Sequence, residues 1–249
     1  MASCLAAVLV AVVTQAQQPA APEQGRGPQL SAPQNLQVLP KDMAAQQVFQ
    51  LMQNISGALG VQCGYCHAAR AAAPPFDFAS DEKPQKKAAR EMILLVRDLN
   101  PKLALAVGKS ADATTRVGCV TCHRGVAIPK QLADILDGTT GDKGMPAAVA
   151  QFRDLRQQYF GAQAYDFSEG SLVTYAQRLT QANKADAAMT WLQLNLEYFP
   201  TSARTYAGIA QAQRGRNDTA SAVKSLEKAV ELDPQNAQLK TQLDQLKGQ

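Results

Sequence analysis

Two five-residue stretches of this chain, Cys63-Gly64-Tyr65-Cys66-His67 and Cys119-Val120-Thr121-Cys122-His123, decide how it must fold. The chain has five Cys and two His, so these stretches hold both histidines and all but one of the cysteines. The Cys-x-x-Cys-His pattern is typical of haem attachment, because two thiols add to the porphyrin and the adjacent imidazole binds iron. The sequence predicts two covalently bound haem c groups, with Cys63, Cys66, Cys119 and Cys122 as thioether donors and His67 and His123 as proximal iron ligands.

Three other uses of these cysteines remain open from the residues alone. A structural zinc site could take four Cys, although the interval between the two pairs is far longer than in zinc ribbons. A thiol–disulfide oxidoreductase could use the first pair, but it would need a strand–helix context that the sequence lacks. Disulfides within each pair would close only trivial loops. None of these alternatives explains why a histidine follows each pair.

An amphipathic helix with a methionine on its apolar face is predicted before each motif. The first carries Val48, Leu51, Met52, Ile55 and Leu59 at helical spacing; the second carries Ala88, Met92, Leu95, Val96 and Leu99 and is expected to end at Pro101. Both histidines are already assigned as proximal ligands, and methionine is a common alternative sixth ligand of haem iron. Met52 and Met92 are therefore candidate sixth ligands, although a methionine on an apolar face is more often core filling.

The C-terminal part repeats with a period of 34 residues, the tetratricopeptide (TPR) period. The matching positions are Leu172/Tyr206, Tyr175/Ile209, Ala176/Ala210, Ala188/Ala222, Leu192/Leu226 and Pro200/Pro234. Two repeats are fewer than such folds usually need for stability, so we expect packing against 152–165 or against a partner to complete the core.

Composition narrows the class of protein. The chain has 249 residues, of which 18% are charged and only 6% are aromatic, with a net charge of +4. Because strand-like alternation is missing and the charge is small and scattered, we expect an all-α fold and no nucleic-acid partner. The predicted architecture is a dihaem c-type cytochrome module followed by a short TPR-like repeat domain.

The chain divides into five predicted segments. Residues 1–16 are typical of a secretory signal peptide, with a short apolar run and a small-residue cleavage site, and 17–35 form a Pro/Gln/Ala-rich tether. The haem module is expected over 36–135, a linker over 136–164 and the helical repeats over 165–249. Export would place the protein in the periplasm, where it could associate with a membrane through a partner.

The segment from about Leu36 to Lys130 resembles the cytochrome c subunit of photosynthetic reaction centres. The similar stretches are Leu51-Met52 through Leu59-Gly60 to His67, Phe78-Ala79-Ser80-Asp81, Ala89 to Met92 with Val96 to Asn100, and Cys119 to Gly125. The resemblance implies a helix leading into each haem motif and assigns Met52 and Met92 as sixth iron ligands. This chain departs from that four-haem family in having two motifs and a repeat region.

These observations together predict an electron carrier rather than an enzyme. Iron held by a histidine and a methionine has no open position for substrate, so one-electron transfer is the expected chemistry. Its expected partners are redox proteins, among them a membrane-bound electron-transfer complex or reaction centre, and a protein bound by the repeats. A haem-containing assembly protein acting through its repeats and a dihaem peroxidase-type enzyme remain as alternatives.

Overall fold

The computed structural model of the protein describes residues 30–71 and 75–248. The predicted signal peptide over 1–16 and most of the tether over 17–35 lie outside the described residues. Within the described ranges, no helix is both long and apolar enough to cross a membrane.

The N-terminal half consists of two long helices, each followed by a cysteine motif. Helix α1 spans Ala45–Leu59 and ends at Gly60, whose φ of 67° is left-handed. Two-residue strands β1 (Ala68–Ala69) and β2 (Phe76–Asp77) pair antiparallel after the first motif. Helix α2 spans Pro84–Ala106, and the short helix α3, Cys119–His123, is the second motif itself.

Helix α2 continues past the residue at which it was predicted to end. Pro101 lies inside the helix, which continues beyond it to Ala106. Proline has no N–H, so the carbonyl of Arg97, four residues earlier, lacks its usual helical donor. The prediction that Pro101 terminates the helix was wrong, because the loss of one backbone hydrogen bond does not end a helix whose neighbouring Asn100 is fixed on Val117 by two hydrogen bonds.

The C-terminal half is a stack of seven helices. They are α4 (Leu132–Lys143), α5 (Met145–Tyr159), α6 (Glu169–Gln181), α7 (Ala185–Tyr198), α8 (Ala203–Gly215), α9 (Thr219–Leu232) and α10 (Ala237–Lys247). Helices α6 and α8 begin and end 34 residues apart, and so do α7 and α9. Asn183 and Asn217, also 34 apart, adopt the same φ of 59° in the two intra-repeat turns. The predicted period is therefore built into the structure as two helical hairpins and a capping helix.

The predicted linker over 136–164 is instead part of the helical stack. Leu136 and Ala148 are both fully buried, and Phe152 is 2% exposed, in one core with Trp191 and Leu192 of α7. The phenol of Tyr175 donates to Asp137 at 2.6 Å and fastens α4 to α6. The linker prediction was wrong because glycines 138, 141 and 144 suggested a loop, whereas burial against the first repeat holds α4 and α5 in helical form. The expectation that 152–165 completes the repeat core agrees with the buried Phe152.

The predicted all-α fold class is confirmed. The described residues form ten α-helices and only one two-stranded ribbon. Their burial is uneven along the chain. From residue 30 to the start of α4, the buried apolar residues are Ile55, Ala58, Ala68 and Ala104, whereas the main core of the helical stack contains sixteen. The segment that precedes α4 therefore has almost no protein core of its own among its described residues.

Candidate haem-binding sites

The first candidate site, defined as Cys63, Cys66 and His67, follows α1 after three residues. Cys63–Tyr65 form a 3-10 turn, and the N–H of His67 donates to the carbonyl of Cys63 at 3.0 Å. This winding brings both cysteines and the histidine into one turn of chain. The thiol of Cys63 is exposed, that of Cys66 is half-buried, and neither forms a disulfide with another cysteine of the described residues.

The imidazole of His67 is half-buried against an aromatic ring. The Phe78 ring meets it edge-on, with centroids 5.0 Å apart and planes 74° apart. Its Nδ1 is buried and has no hydrogen-bond partner among the residues that the structure describes. Burial lowers the pKa of His67 below its usual value, and the nearby Lys86 and Arg90 lower it further. The neutral imidazole favoured in this way is the form that binds a metal ion.

The second candidate site, defined as Cys119, Cys122 and His123, is helix α3 and the turn that follows it. Thr121 Oγ1 accepts a hydrogen bond from the N–H of Gly118 at 3.0 Å and caps the helix. His123 Nδ1 lies 3.0 Å from the carbonyl oxygen of Val126. Because a carbonyl only accepts, Nδ1 must carry the proton, which leaves the Nε2 lone pair for iron.

A close contact between two glycines joins the end of α1 to the second site. The N–H of Gly125 donates to the carbonyl of Ala58 at 2.8 Å. A Cβ at Gly60 would lie 2.2 Å from the carbonyl oxygen of Gly125, so no larger residue fits there without movement. The first site begins three residues after Gly60, so this contact brings the two sites to the same end of α1.

The side chain of Asn100 holds the chain that leads into the second site. Its Nδ2 donates to the carbonyl of Val117 at 3.0 Å, and its Oδ1 accepts from the N–H of Val117 at 2.8 Å. Val117 lies two residues before Cys119. Asn100 is not recognisable as a site residue from the sequence, because its partner is seventeen residues away and no local motif marks the pair.

The two candidate methionines occupy different surroundings. Met52 is half-buried on α1, one turn before the buried Ile55. Met92 is 45% exposed on α2, with Leu95 at 56% and Leu99 at 41% along the same face. The predicted apolar face of α2 therefore packs against no protein core. The placement of Met52 and Met92 as iron ligands stays a prediction.

The distribution of exposed apolar side chains tests whether this segment fits a haem. Nine of the ten large apolar residues that are exposed in the described chain precede α4: Phe49, Phe78, Met92, Leu95, Leu99, Leu105, Val107, Val120 and Ile128. A large flat apolar group is able to cover apolar side chains of this kind, which the described protein core leaves exposed. Together with the accessible thiols and the free Nε2 of His123, these residues fit covalently bound haem.

Comparison with known proteins also indicates a cytochrome c. A model of the family described as "Photosynthetic reaction centre cytochrome C subunit" matches residues 72–184, less than half of the chain, which include the second motif. The predicted resemblance to this family is confirmed. Such a cytochrome c likeness implies covalently bound haem and agrees with an electron carrier.

Curated relatives agree with the family match. Cytochrome c-554 of Chloroflexus aurantiacus is 44% identical over 89 residues, covering 36% of this chain and 20% of the relative. The photosynthetic reaction center cytochrome c subunit of Rubrivivax gelatinosus is 32% identical over 114 residues, covering 43% and 30%. The same subunit of Thermochromatium tepidum is 34% identical over 93 residues, covering 34% and 22%. The chain thus spans less than a third of the length of each.

Two solved structures resemble the chain in fold. The first TPR domain of human RPAP3 has 15% identity and a TM-score of 0.33, covering 47% of this chain and 87% of that domain. MamA 41-end from Desulfovibrio magneticus RS-1 has 18% identity and a TM-score of 0.35, covering 61% and 81%. Both scores are low, so the helical-repeat assignment rests on the chain's own period and packing.

Proposed function

We propose that this protein is a periplasmic dihaem c-type cytochrome that carries single electrons. The observation that carries the proposal is the uneven distribution of buried apolar residues along the chain. The only two Cys-x-x-Cys-His motifs lie in the segment that has four buried apolar residues and nearly all of the exposed large ones. Haem supplies the one-electron chemistry when bound, and the protein holds it, orients it and excludes water from it.

The residues of each site have distinct roles in this proposal. Cys63 and Cys66, and likewise Cys119 and Cys122, anchor the porphyrin through thioethers. His67 and His123 bind the iron, with the Nδ1 proton of His123 fixed on Val126. Met52 and Met92 would serve as the sixth ligands, which would leave the iron no open position for substrate.

The partners follow from the two halves of the chain. The haem segment would exchange electrons with redox proteins, among them a membrane-bound complex or a reaction centre, because relatives of this segment are named as reaction-centre subunits. The helical stack would bind a protein partner, as stacked helical repeats commonly do. Cell fractionation tests the location: haem-stained protein in the cytoplasmic fraction alone would contradict export.

A redox titration of the purified protein tests the function. A carrier takes up two electrons per chain in one-electron steps and returns them reversibly, with low-spin spectra throughout. Turnover of peroxide at a rate typical of an enzyme, about 1–1000 per second, would contradict the carrier role and favour the peroxidase alternative.

A further inference from the structure

The two candidate sites differ in the surroundings of their histidines, and this difference has an electrostatic part and a hydrogen-bond part. The electrostatic part is a group of charged side chains beside the first site, here called the Lys86 cluster: Lys83, Lys86, Arg90, Asp77 and Asp81.

Lys86 is the centre of this cluster and is only 9% exposed. Its ammonium donates to the carbonyls of Phe78 at 2.9 Å, Ala79 at 3.1 Å and Ser80 at 2.7 Å. It also lies 3.1 Å from a carboxylate oxygen of Asp81. Since the Phe78 ring packs on His67, the buried positive charge is held one side chain away from the first iron ligand.

The positive charges of the cluster outnumber the negative ones. The guanidinium of Arg90 shares Asp81 with Lys86, at 2.7 Å, and the ammonium of Lys83 donates to the carbonyl of Gly64 inside the first motif. Asp77 accepts hydrogen bonds from the N–H groups of Ala79 and Ser80 instead. Three cations therefore face two carboxylates. Because Lys86 is buried, its field is screened less than that of an exposed charge.

The second site lacks a buried cation among its described neighbours. Arg116 and Arg124 lie close to it in sequence, but both are exposed, and Arg124 donates to the carbonyl of Gln163 at 3.0 Å. Its histidine instead donates Nδ1–H to the carbonyl of Val126, whereas His67 Nδ1 has no acceptor in the described part of the chain. A hydrogen bond of this kind makes the imidazole a stronger electron donor to the metal.

Both differences act in the same direction. Net positive charge beside a site disfavours the oxidised, more positive state of its iron, whereas a more basic histidine favours it. We infer that the first site has the higher reduction potential of the two, so that the electron of a half-reduced chain resides there, and that Lys86 sets this order. The inference rests on the proposed dihaem function and concerns residues for which the family resemblance assigned no role.

The test is a redox titration of the two-haem protein followed by proton NMR. Haem-methyl signals with contacts to the Phe78 ring identify the first site. We expect that site to be reduced first, with a preference of at least about tenfold, which is 59 mV for a one-electron couple. Reduction of the second site first, or of both together, would overturn the inference.

Variants of opposite charge separate electrostatics from damage to the fold. Lys86→Gln should lower the midpoint potential of the first site, and Asp81→Asn should raise it, with the second site unmoved in both. Lys87→Gln, an equal loss of charge at an exposed neighbour on the same helix, is the matched control and should change neither. If Lys86→Gln does not fold, Lys83→Gln should give the same downward shift.

The outcomes distinguish this inference from the proposed function. Loosening of the site would move the potential in the same direction in the Lys86 and Asp81 variants, and that result would refute the tuning role. A protein with two haems and the reverse order would overturn the inference alone. A protein without covalent haem would overturn the proposed function as well.

Discussion

Buried apolar residues are few before α4 and many from α4 onward. This distribution predicts that the two halves of the chain fold independently, and that only the first half needs haem. The perturbation is replacement of Cys63, Cys66, Cys119 and Cys122 by alanine, which prevents covalent attachment. The helices before α4 are 15, 23 and 5 residues long, whereas those from α4 onward are 12, 15, 13, 14, 13, 14 and 11 residues long. Loss of the first group alone removes about a third of the helix in the described chain.

The assay is far-ultraviolet circular dichroism of the variant and of the haem-loaded protein, followed by thermal melting. We expect the variant to lose about a third of the helical signal and to keep one cooperative transition, from the stack of α4 to α10. The reciprocal change is Leu136→Ala, because Leu136 is fully buried in that stack. It should lower the free energy of unfolding of the stack by about 2–5 kcal/mol and leave the haem content unchanged.

Two results would refute this reasoning. If the cysteine-free variant keeps its whole helical signal, the first half has a sufficient core without haem. If it loses the entire signal, the helical stack depends on the haem segment and the two halves are one folding unit.

Three further predictions concern individual contacts. Met52→Ala and Met92→Ala should each halve the near-infrared sulfur-to-iron band and open one iron to carbon monoxide, whereas Met43→Ala should leave the band intact; a full band in the Met52 variant would exclude that ligand. Asn100→Leu should destabilise the iron coordination of the second site only, by about 1–3 kcal/mol for the unpaired backbone groups of Val117, measured as loss of the low-spin spectrum of that haem on denaturant titration; equal destabilisation at both sites would contradict the role of this contact. A chain ending at Lys130, before α4, should bind both haems with an unchanged reduced spectrum, and loss of either would place α4 in the haem fold.

The features that could be predicted from the sequence depend on residues close together in the chain. The Cys-x-x-Cys-His motifs place their three functional side chains within one turn, and the 34-residue period reports a packing unit that repeats along the chain. Both are visible without knowledge of distant contacts. The same holds for α1, whose apolar spacing ends at Gly60, where the left-handed φ ends the helix.

The features that sequence analysis missed depend on residues far apart in the chain. Helix α4 contains Gly138 and Gly141, which indicate a loop locally, yet its Leu136 is buried by the repeats and its Asp137 binds Tyr175 thirty-eight residues away. The prediction that α2 ends at Pro101 failed for a related reason, since the adjacent Asn100 is held by Val117, seventeen residues away. Lys86 resembles any surface lysine in the sequence, and only the folded loop around it shows three carbonyls converging on its ammonium.

Intact mass under denaturing conditions tests the central claim most directly, because it counts covalently bound haem. The purified protein should exceed the mass of its polypeptide by two haem groups, and Cys63→Ala with Cys66→Ala, or Cys119→Ala with Cys122→Ala, should each remove one. A polypeptide mass with one haem or none, or a variant pair that removes both, would contradict a protein built around two haem sites.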